Sequence, residues 1–152
     1  MAMSGDETKS AHEYARVSAV IEQPIDRVWE EVARFGGLER WVDSVTDCEV
    51  HGEGVGSVRY VTRNGVRVRE RLTQRNEDAH LLAYRIMPPH PLPAEDVESA
   101  IQLEAIDPTR TRIVWSSQSG RLGVPDEQLR ARVEPFYQSS LINLARLLAT
   151  KH

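Results

Sequence analysis

The sequence predicts an α+β domain in which a curled antiparallel sheet of about seven strands wraps around a long C-terminal helix. Between residues 46 and 117, six successive segments alternate apolar and polar side chains, and turn residues connect them. Residues 126–149 return to helical spacing, with Pro135 placed to kink or split the helix. A long antiparallel sheet curls, and its concave face has to be covered. The terminal helix is the only segment long enough to cover it.

Local signals also mark the elements that precede this sheet. The segment "YARVSAVIE" alternates as a strand does, and Pro24 stands where a helix would begin. Apolar residues at helical spacing extend that helix from Ile25 to Phe35, Gly36-Gly37 ends it, and a second short helical turn follows in "LERWV". The six later strands are predicted at Thr46–His51, Ser57–Arg63, Val66–Arg75, His80–Met87, Val97–Ile106 and Thr111–Ser117.

Composition limits the class of protein. The 152 residues, 40% of them hydrophobic, suffice for one domain with its own core. We expect a disordered polar tail over residues 1–13 and a single domain over 14–152, as a monomer or homodimer. No apolar stretch has the length of a membrane helix or the pattern of a signal peptide, and the single Cys48 cannot form an internal disulfide. We therefore expect a cytoplasmic protein without membrane insertion. A net charge of −4 disfavours nucleic acid as a partner.

The order of these elements resembles the START-like (SRPBCC) superfamily with its helix-grip fold. The resemblance is carried by "QPIDRVWEEVARFGGLERWVDSVTDCEVHGEGVGSVRYV", by "VRERLTQRNEDAHLLAYRI" and by the terminal helix. It is strongest to the polyketide cyclase/dehydrase-like branch. The resemblance implies one START-like ligand-binding domain, with a cavity between the sheet and the C-terminal helix. It does not imply one function, because the superfamily contains cyclases, aromatases, lipid carriers and hormone receptors.

The hairpin around Asn64-Gly65 predicts the position of an unusual charge. An Asn-Gly pair between alternating runs favours a two-residue type I′ turn, which places Arg59 opposite Glu70 on the same face as Val61, Val68 and Leu72. Burying unpaired guanidinium groups costs several kcal/mol each, so the face that carries three arginines must be solvated. Those arginines are Arg67, Arg69 and Arg71. Arg59 and Glu70 therefore face inward, either as a structural ion pair or as the polar anchor of a ligand pocket.

The same alternation supplies the other candidate site residues. Tyr84 joins Arg59 and Glu70 as a candidate catalytic residue, because its hydroxyl can donate to a ligand carbonyl. His90 lies in the proline-rich segment Pro88–Asp96, which we expect at the cavity mouth, and it is the candidate gate. The related receptors also carry a Glu in the matching "ERL" motif, and "INLARL" resembles a ligand-lining segment, which places Asn143 near the ligand. The predicted ligand-binding residues are Val61, Val68, Leu82, Ile86, Ser99, Ile101, Trp115, Phe136, Ser139 and Asn143.

Two functions from different classes fit these residues. The first is binding of a small hydrophobic molecule, aromatic or polyketide-like, with cofactor-free cyclisation or dehydration. Arg59 would then stabilise an enolate, Glu70 would move a proton and Tyr84 would hold a carbonyl. The second is a non-catalytic lipid or isoprenoid carrier, in which the ion pair anchors a head group. The five histidines have no metal-ligand spacing, and neither function requires a metal or another cofactor. The sequence does not decide between enzyme and carrier.

Overall fold

The computed structural model describes residues 11–150. Two α-helices, α1 (Ile25–Val32) and α2 (Asp126–Thr150), are joined by a set of strands, and a 3-10 turn, Leu38–Arg40, follows α1. The strands are β1 (His12–Ile21), β2 (Val45–His51), β3 (Val58–Arg63), β4 (Val66–Asn76), β5 (Leu81–Met87), β6 (Ala94–Glu95), β7 (Glu98–Asp107), β8 (Arg110–Ser119) and β9 (Arg121–Leu122).

Seven strands form one antiparallel sheet in the order β1-β8-β7-β5-β4-β3-β2. From β2 to β8 the strands lie side by side in chain order, except that β6 is not part of this sheet. The first strand, β1, pairs with β8 and forms the edge opposite β2. The α+β class, the seven strands and the long terminal helix confirm the predicted fold. The short strands β6 and β9 form a separate two-stranded ribbon that was not predicted, because two residues are too few to show a period.

The Asn64-Gly65 turn has the predicted geometry. Both residues have positive φ, 52° and 80°, as a type I′ turn requires. The register places Arg59 opposite Glu70, and the outward arginines of β4 are exposed. One of them, Arg67, donates to Glu49 on β2 at 3.1 Å, so the solvated face carries its own ion pairs.

Helix α2 lies across the concave face of the sheet and remains one helix through Pro135. Its buried stripe consists of Leu129, Tyr137, Ser140, Leu141, Leu144 and Leu148. The helical spacing of the sequence predicts Phe136 and Leu147 in this stripe, one position earlier than Tyr137 and Leu148, but both are only half-buried. The helix also reaches the sheet edge, because the backbone N–H of Arg16 on β1 donates to the Glu134 carboxylate at 2.9 Å.

Two predicted boundaries differ from the structure. Strand β1 begins at His12, which moves the end of the predicted tail back from residue 13, while residues 1–10 lie outside the described part of the chain. Helix α1 ends at Val32 rather than Phe35, and Phe35 takes a positive φ of 64°. The indole N–H of Trp29 donates to Glu77 at 2.7 Å, which fastens α1 to the end of β4.

Candidate functional site

A cavity of about 100 Å³ lies between the inner face of the sheet and α2. Its wall is mostly apolar and comes from β3, β4, β5, β8 and α2, together with the segment that follows α1. Three charged side chains reach the cavity wall, namely Arg59, Arg63 and Glu70. A small apolar cavity with a few converging polar groups is the arrangement expected of a ligand site.

The Arg59–Glu70 pair spans β3 and β4 at this wall. The Arg59 Nε donates to Glu70 Oε1 at 2.7 Å, and the side chains are only 4% and 15% exposed. The cross-strand register of the hairpin brings the two residues together, since directly opposed residues on one face lie within side-chain reach. The pair is therefore desolvated, in contrast to the exposed ion pairs on the outer face of the sheet.

Two nitrogens of the Arg59 guanidinium donate to groups of the protein, and two aromatic rings lie against it. Its second nitrogen donates to the Phe35 carbonyl at 2.9 Å. The guanidinium carbon lies 4.2 Å from the Phe35 ring centre and 4.5 Å from that of Tyr84, and these two rings are themselves neighbours, with centres 6.4 Å apart. Glu70 has Arg59 as its one hydrogen-bond partner among residues 11–150. The other carboxylate oxygen of Glu70, Oε2, therefore has no hydrogen-bond partner among the described residues.

A cluster of hydroxyl groups forms a second polar region of the cavity. The Tyr137 hydroxyl makes a short hydrogen bond with Ser117, whose hydroxyl lies 2.5 Å from that of Ser99. The Tyr137 ring stacks on Trp115 with centres 3.9 Å apart, and the Trp115 N–H donates to the Tyr84 hydroxyl at 3.1 Å. The cluster therefore links β5, β7, β8 and α2.

Burial keeps the tyrosines of this cluster protonated. Desolvation raises the pKa of Tyr84 to about 12, and the nearby Glu70 charge adds to the effect. Desolvation also raises the pKa of Tyr137 well above its ordinary value. Both hydroxyls consequently remain neutral near pH 7, where each can donate one hydrogen bond.

The proline-rich segment borders the cavity, as predicted. Leu92 lines the first cavity and also a second one of about 100 Å³, whose wall includes Val68, His90 and Pro91. Glu70 also lines both cavities, so they adjoin each other. Burial lowers the pKa of His90, which keeps its imidazole neutral at pH 7, and its Nδ1 accepts the Leu92 N–H at 3.2 Å.

The structure brings most of the predicted site residues together. Of the predicted set, the first cavity is lined by Arg59, Val61, Glu70, Tyr84, Ile86, Ser99, Trp115 and Phe136, and the second adds Val68 and His90. Leu82 and Ile101 lie in the core instead.

Ser139 and Asn143 also lie outside both linings, so the prediction that they face the ligand requires correction. The Ser139 hydroxyl donates to the Asp43 carboxylate in a short hydrogen bond, and the Asn143 amide donates to its other oxygen at 2.7 Å. Both side chains project from the flank of α2 that faces the segment after the 3-10 turn. A half-buried carboxylate on that segment takes the donors that we expected to point at the ligand.

Sequence reasoning missed several residues of the wall. Arg63 was overlooked although it alternates with Arg59 and Val61 on the inward face of β3, so the predicted register already contained it. Tyr137 was missed because the helical stripe was assigned one position too early. The remaining overlooked residues are apolar or come from segments without a strand period: Tyr14, Leu38, Val42, Val45, Leu92 and Val133.

Residues 11–150 contain no group of three or more His, Cys, Asp or Glu side chains placed to hold a metal ion. No helix in that range is both long enough and apolar enough to cross a membrane.

The architecture, with a cavity between the sheet and the long helix, is that of the helix-grip fold of the START-like superfamily. Residues 14–149 match the family model described as polyketide cyclase/dehydrase and lipid transport. The chain therefore belongs to that family. A search of curated protein sequences finds no match.

Solved structures support the same fold. An uncharacterized protein from Bacillus thuringiensis superposes with a TM-score of 0.79 at 24% identity, over 89% of this chain and 98% of that one. The protein XoxI from Bacillus cereus gives 0.77 at 23% identity, over 91% and 99%. The protein Ara h 8.0201 gives 0.74 at 19% identity, over 93% and 100%. At these identities the likeness extends to the fold alone.

Proposed function

We propose that this protein binds a small hydrophobic molecule in the cavity between sheet and α2, and that a hydrogen-bond donor on the ligand contacts Glu70. The observation that supports this proposal is the asymmetry of the Arg59–Glu70 pair. Arg59 donates to Glu70 and to a backbone carbonyl and lies beside two aromatic rings, while Glu70 has one side-chain partner and lies on the wall of both cavities. A carboxylate accepts strongly from a hydroxyl or N–H group and strengthens binding of a ligand that carries one.

The size of the cavity favours a compact ligand. Ligand pockets usually measure about 300–1,000 Å³, and the cavity here measures about 100 Å³ with a second one of similar size beside it. One or two fused rings would fit once Leu92, which lines both cavities, moves slightly. A long acyl chain would require a larger rearrangement, so the arrangement favours an aromatic or polyketide-like ligand over a lipid.

The same groups suit cofactor-free cyclisation or dehydration of such a ligand. Glu70 would accept the proton from a carbon beside a ketone, and the resulting enolate oxygen would accept hydrogen bonds from the hydroxyl cluster. The enolate carbon would then attack a second carbonyl of the same molecule, and loss of water would follow. Arg59 would hold the Glu70 carboxylate in place rather than contact the enolate, which changes the role that the sequence suggested for it.

Binding is tested with matched aromatic probes. We expect β-naphthol to bind by calorimetry and to bind about tenfold tighter than β-methoxynaphthalene, which lacks the donor. In a Glu70→Gln variant the amide oxygen can keep Arg59 while the NH₂ group faces the cavity, so the preference for β-naphthol should disappear. Glu49→Gln, on the outer face of the sheet, is the matched control and should keep the preference for β-naphthol. Absence of binding by both probes, or an unchanged preference in Glu70→Gln, contradicts the proposal.

A second measurement separates an enzyme from a carrier. An enzyme that forms enolates should exchange the acidic C–H protons of bound β-tetralone for deuterium in D₂O, and NMR can follow that exchange. The exchange should fall to the uncatalysed rate in Glu70→Gln and persist in Glu49→Gln. Binding of β-tetralone without exchange identifies a carrier.

A further inference from the structure

Arg63 lines both cavities with its side chain exposed to solvent, and the nearby carboxylates of Glu70 and Asp43 act on its charge only from beyond ion-pair distance. Its guanidinium carbon sits 3.6 Å from the centre of the Phe136 ring, and the side chain lines both cavities. No Asp or Glu oxygen of the described residues forms an ion pair with it within 4.0 Å, whereas Arg59 on the same face has Glu70 at 2.7 Å. Desolvation lowers the pKa of the Arg63 guanidinium, although its ordinary value is so high that it stays charged.

The charges of the cavity walls do not cancel. The charged side chains on the two linings are Arg59, Arg63 and Glu70, and the neighbouring His90 is neutral at pH 7 because burial lowers its pKa. Two positive charges and one negative charge leave a net charge of +1. The whole chain has a net charge of −4, so this surplus is local. A single negative charge on a ligand would neutralise it.

We infer that the ligand is a hydrophobic carboxylic acid whose carboxylate binds Arg63 at the cavity mouth. This inference rests on the proposed function and names the substrate class of that site. Arg59 and Arg63 are four residues apart on β3, on the order of 13 Å between Cα atoms, so the acid and the donor that contacts Glu70 lie at opposite ends of the ligand. The planar guanidinium suits a carboxylate because it can donate two parallel hydrogen bonds. The Phe136 ring packs against the Arg63 guanidinium at the cavity mouth.

A monocarboxylate fits this site better than a doubly charged group. A phosphate monoester carries nearly two negative charges at pH 7, which would exceed the surplus of +1 and repel Glu70. A carboxylate carries one. The inferred class is therefore an aromatic or polyketide-like hydroxy acid.

The test compares an acid with its neutral ester. We expect 6-hydroxy-2-naphthoic acid to bind the wild type at least about tenfold tighter than its methyl ester at pH 7 and low salt, as one charge-assisted hydrogen bond provides. Arg63→Gln should remove this preference and leave ester binding within about twofold, because the ester makes no charged contact. Arg63→Lys should recover part of the preference, since it restores the charge without the two-pronged geometry. Arg67→Gln, which changes an exposed arginine of the same hairpin, should keep the wild-type preference.

The outcomes separate this inference from the proposed function. Equal binding of acid and ester by the wild type, or a preference that persists in Arg63→Gln, overturns the inference while the ester still reports an intact cavity. If β-naphthol, the acid and the ester all fail to bind, both proposals are wrong. An acid preference that is lost in Arg63→Gln and retained in Arg67→Gln supports the assignment of the carboxylate to Arg63.

Discussion

Glu70 is a charged residue in an apolar wall, and its surroundings explain how the fold tolerates it. The carboxylate is mostly buried, and Arg59 neutralises it through a 2.7 Å contact. The guanidinium in turn donates to the Phe35 carbonyl and packs against the Phe35 and Tyr84 rings. Each partner offsets the desolvation cost of the other, so the loss of one partner leaves an uncompensated charge.

We predict strong coupling between these two residues. Arg59→Met should cost about 3–5 kcal/mol of unfolding free energy, because Glu70 would then be buried without a cation. Adding Glu70→Leu to Arg59→Met should recover much of that loss, since no buried charge remains. Urea denaturation of the two single variants and the double variant provides the coupling energy.

The surface pair Arg67–Glu49 is the control, since it joins β4 to β2 across β3 at 3.1 Å but is more than half exposed on both sides. Its coupling energy should stay within about 0.2–1 kcal/mol. Equal coupling in the two pairs would mean that the Arg59–Glu70 pair is solvated in solution.

The sequence predicted this pair because the Asn64-Gly65 turn determines the register of β3 and β4, and the three arginines determine which face is solvated. It did not predict the partner of Ser139 and Asn143, because Asp43 reaches α2 from an irregular segment whose course no periodic pattern describes. Local patterns specify which side chains share a face. They do not specify what packs against that face from far along the chain.

At the scale of elements, the segment after α1 forms one wall of the cavity. Leu38, Val42 and Val45 line it, and the 3-10 turn itself spans only three residues. Asp43 joins this wall to α2 through its hydrogen bonds with Ser139 and Asn143, and its N–H donates to the Ser140 hydroxyl at 3.2 Å. These contacts hold the wall against the helix.

We predict that the double variant Ser139→Ala/Asn143→Ala loosens this wall. Hydrogen bonds to a charged group contribute about 1.5–3 kcal/mol each, so amide hydrogen exchange over residues 38–45 should accelerate by about tenfold or more. Exchange in the β7–β8 hairpin should change much less. Hydrogen-exchange mass spectrometry measures both regions. Gln138→Ala, at an exposed position of the same helix, is the control, and unchanged exchange in the double variant would show that other contacts hold the wall.

At the scale of the whole molecule, the hydroxyl cluster links protonation to folding. Tyr14 joins Tyr84 and Tyr137 in having a pKa raised by burial. A folded pKa above the unfolded value of about 10 means that the native state favours the neutral hydroxyl. The associated stability is fully present below pH 10 and is lost as the pH rises toward 12.

We therefore predict alkaline unfolding between about pH 10 and pH 12. For Tyr84 alone, a shift of about two pKa units corresponds to about 3 kcal/mol, and the other buried tyrosines add to it. Tyrosinate absorbance and circular dichroism should change together in this range, because the buried hydroxyls ionise only when the chain opens. Tyr60→Phe, which alters a half-exposed tyrosine on the outer face, should leave the midpoint pH of unfolding unchanged. Full ionisation of all tyrosines in a chain that remains folded would contradict the prediction.

The position of β1 at the edge of the sheet has a consequence for how the chain reaches its native state. This strand comes first among the described elements, yet it pairs with β8 and receives Glu134 of α2 at its outer edge. Its partners on β8 are ninety or more residues away along the chain. During synthesis on the ribosome, β1 therefore has no native strand partner until almost every other element has been translated. Closure of the fold depends on these distant contacts, which makes it slow compared with the formation of the central hairpins.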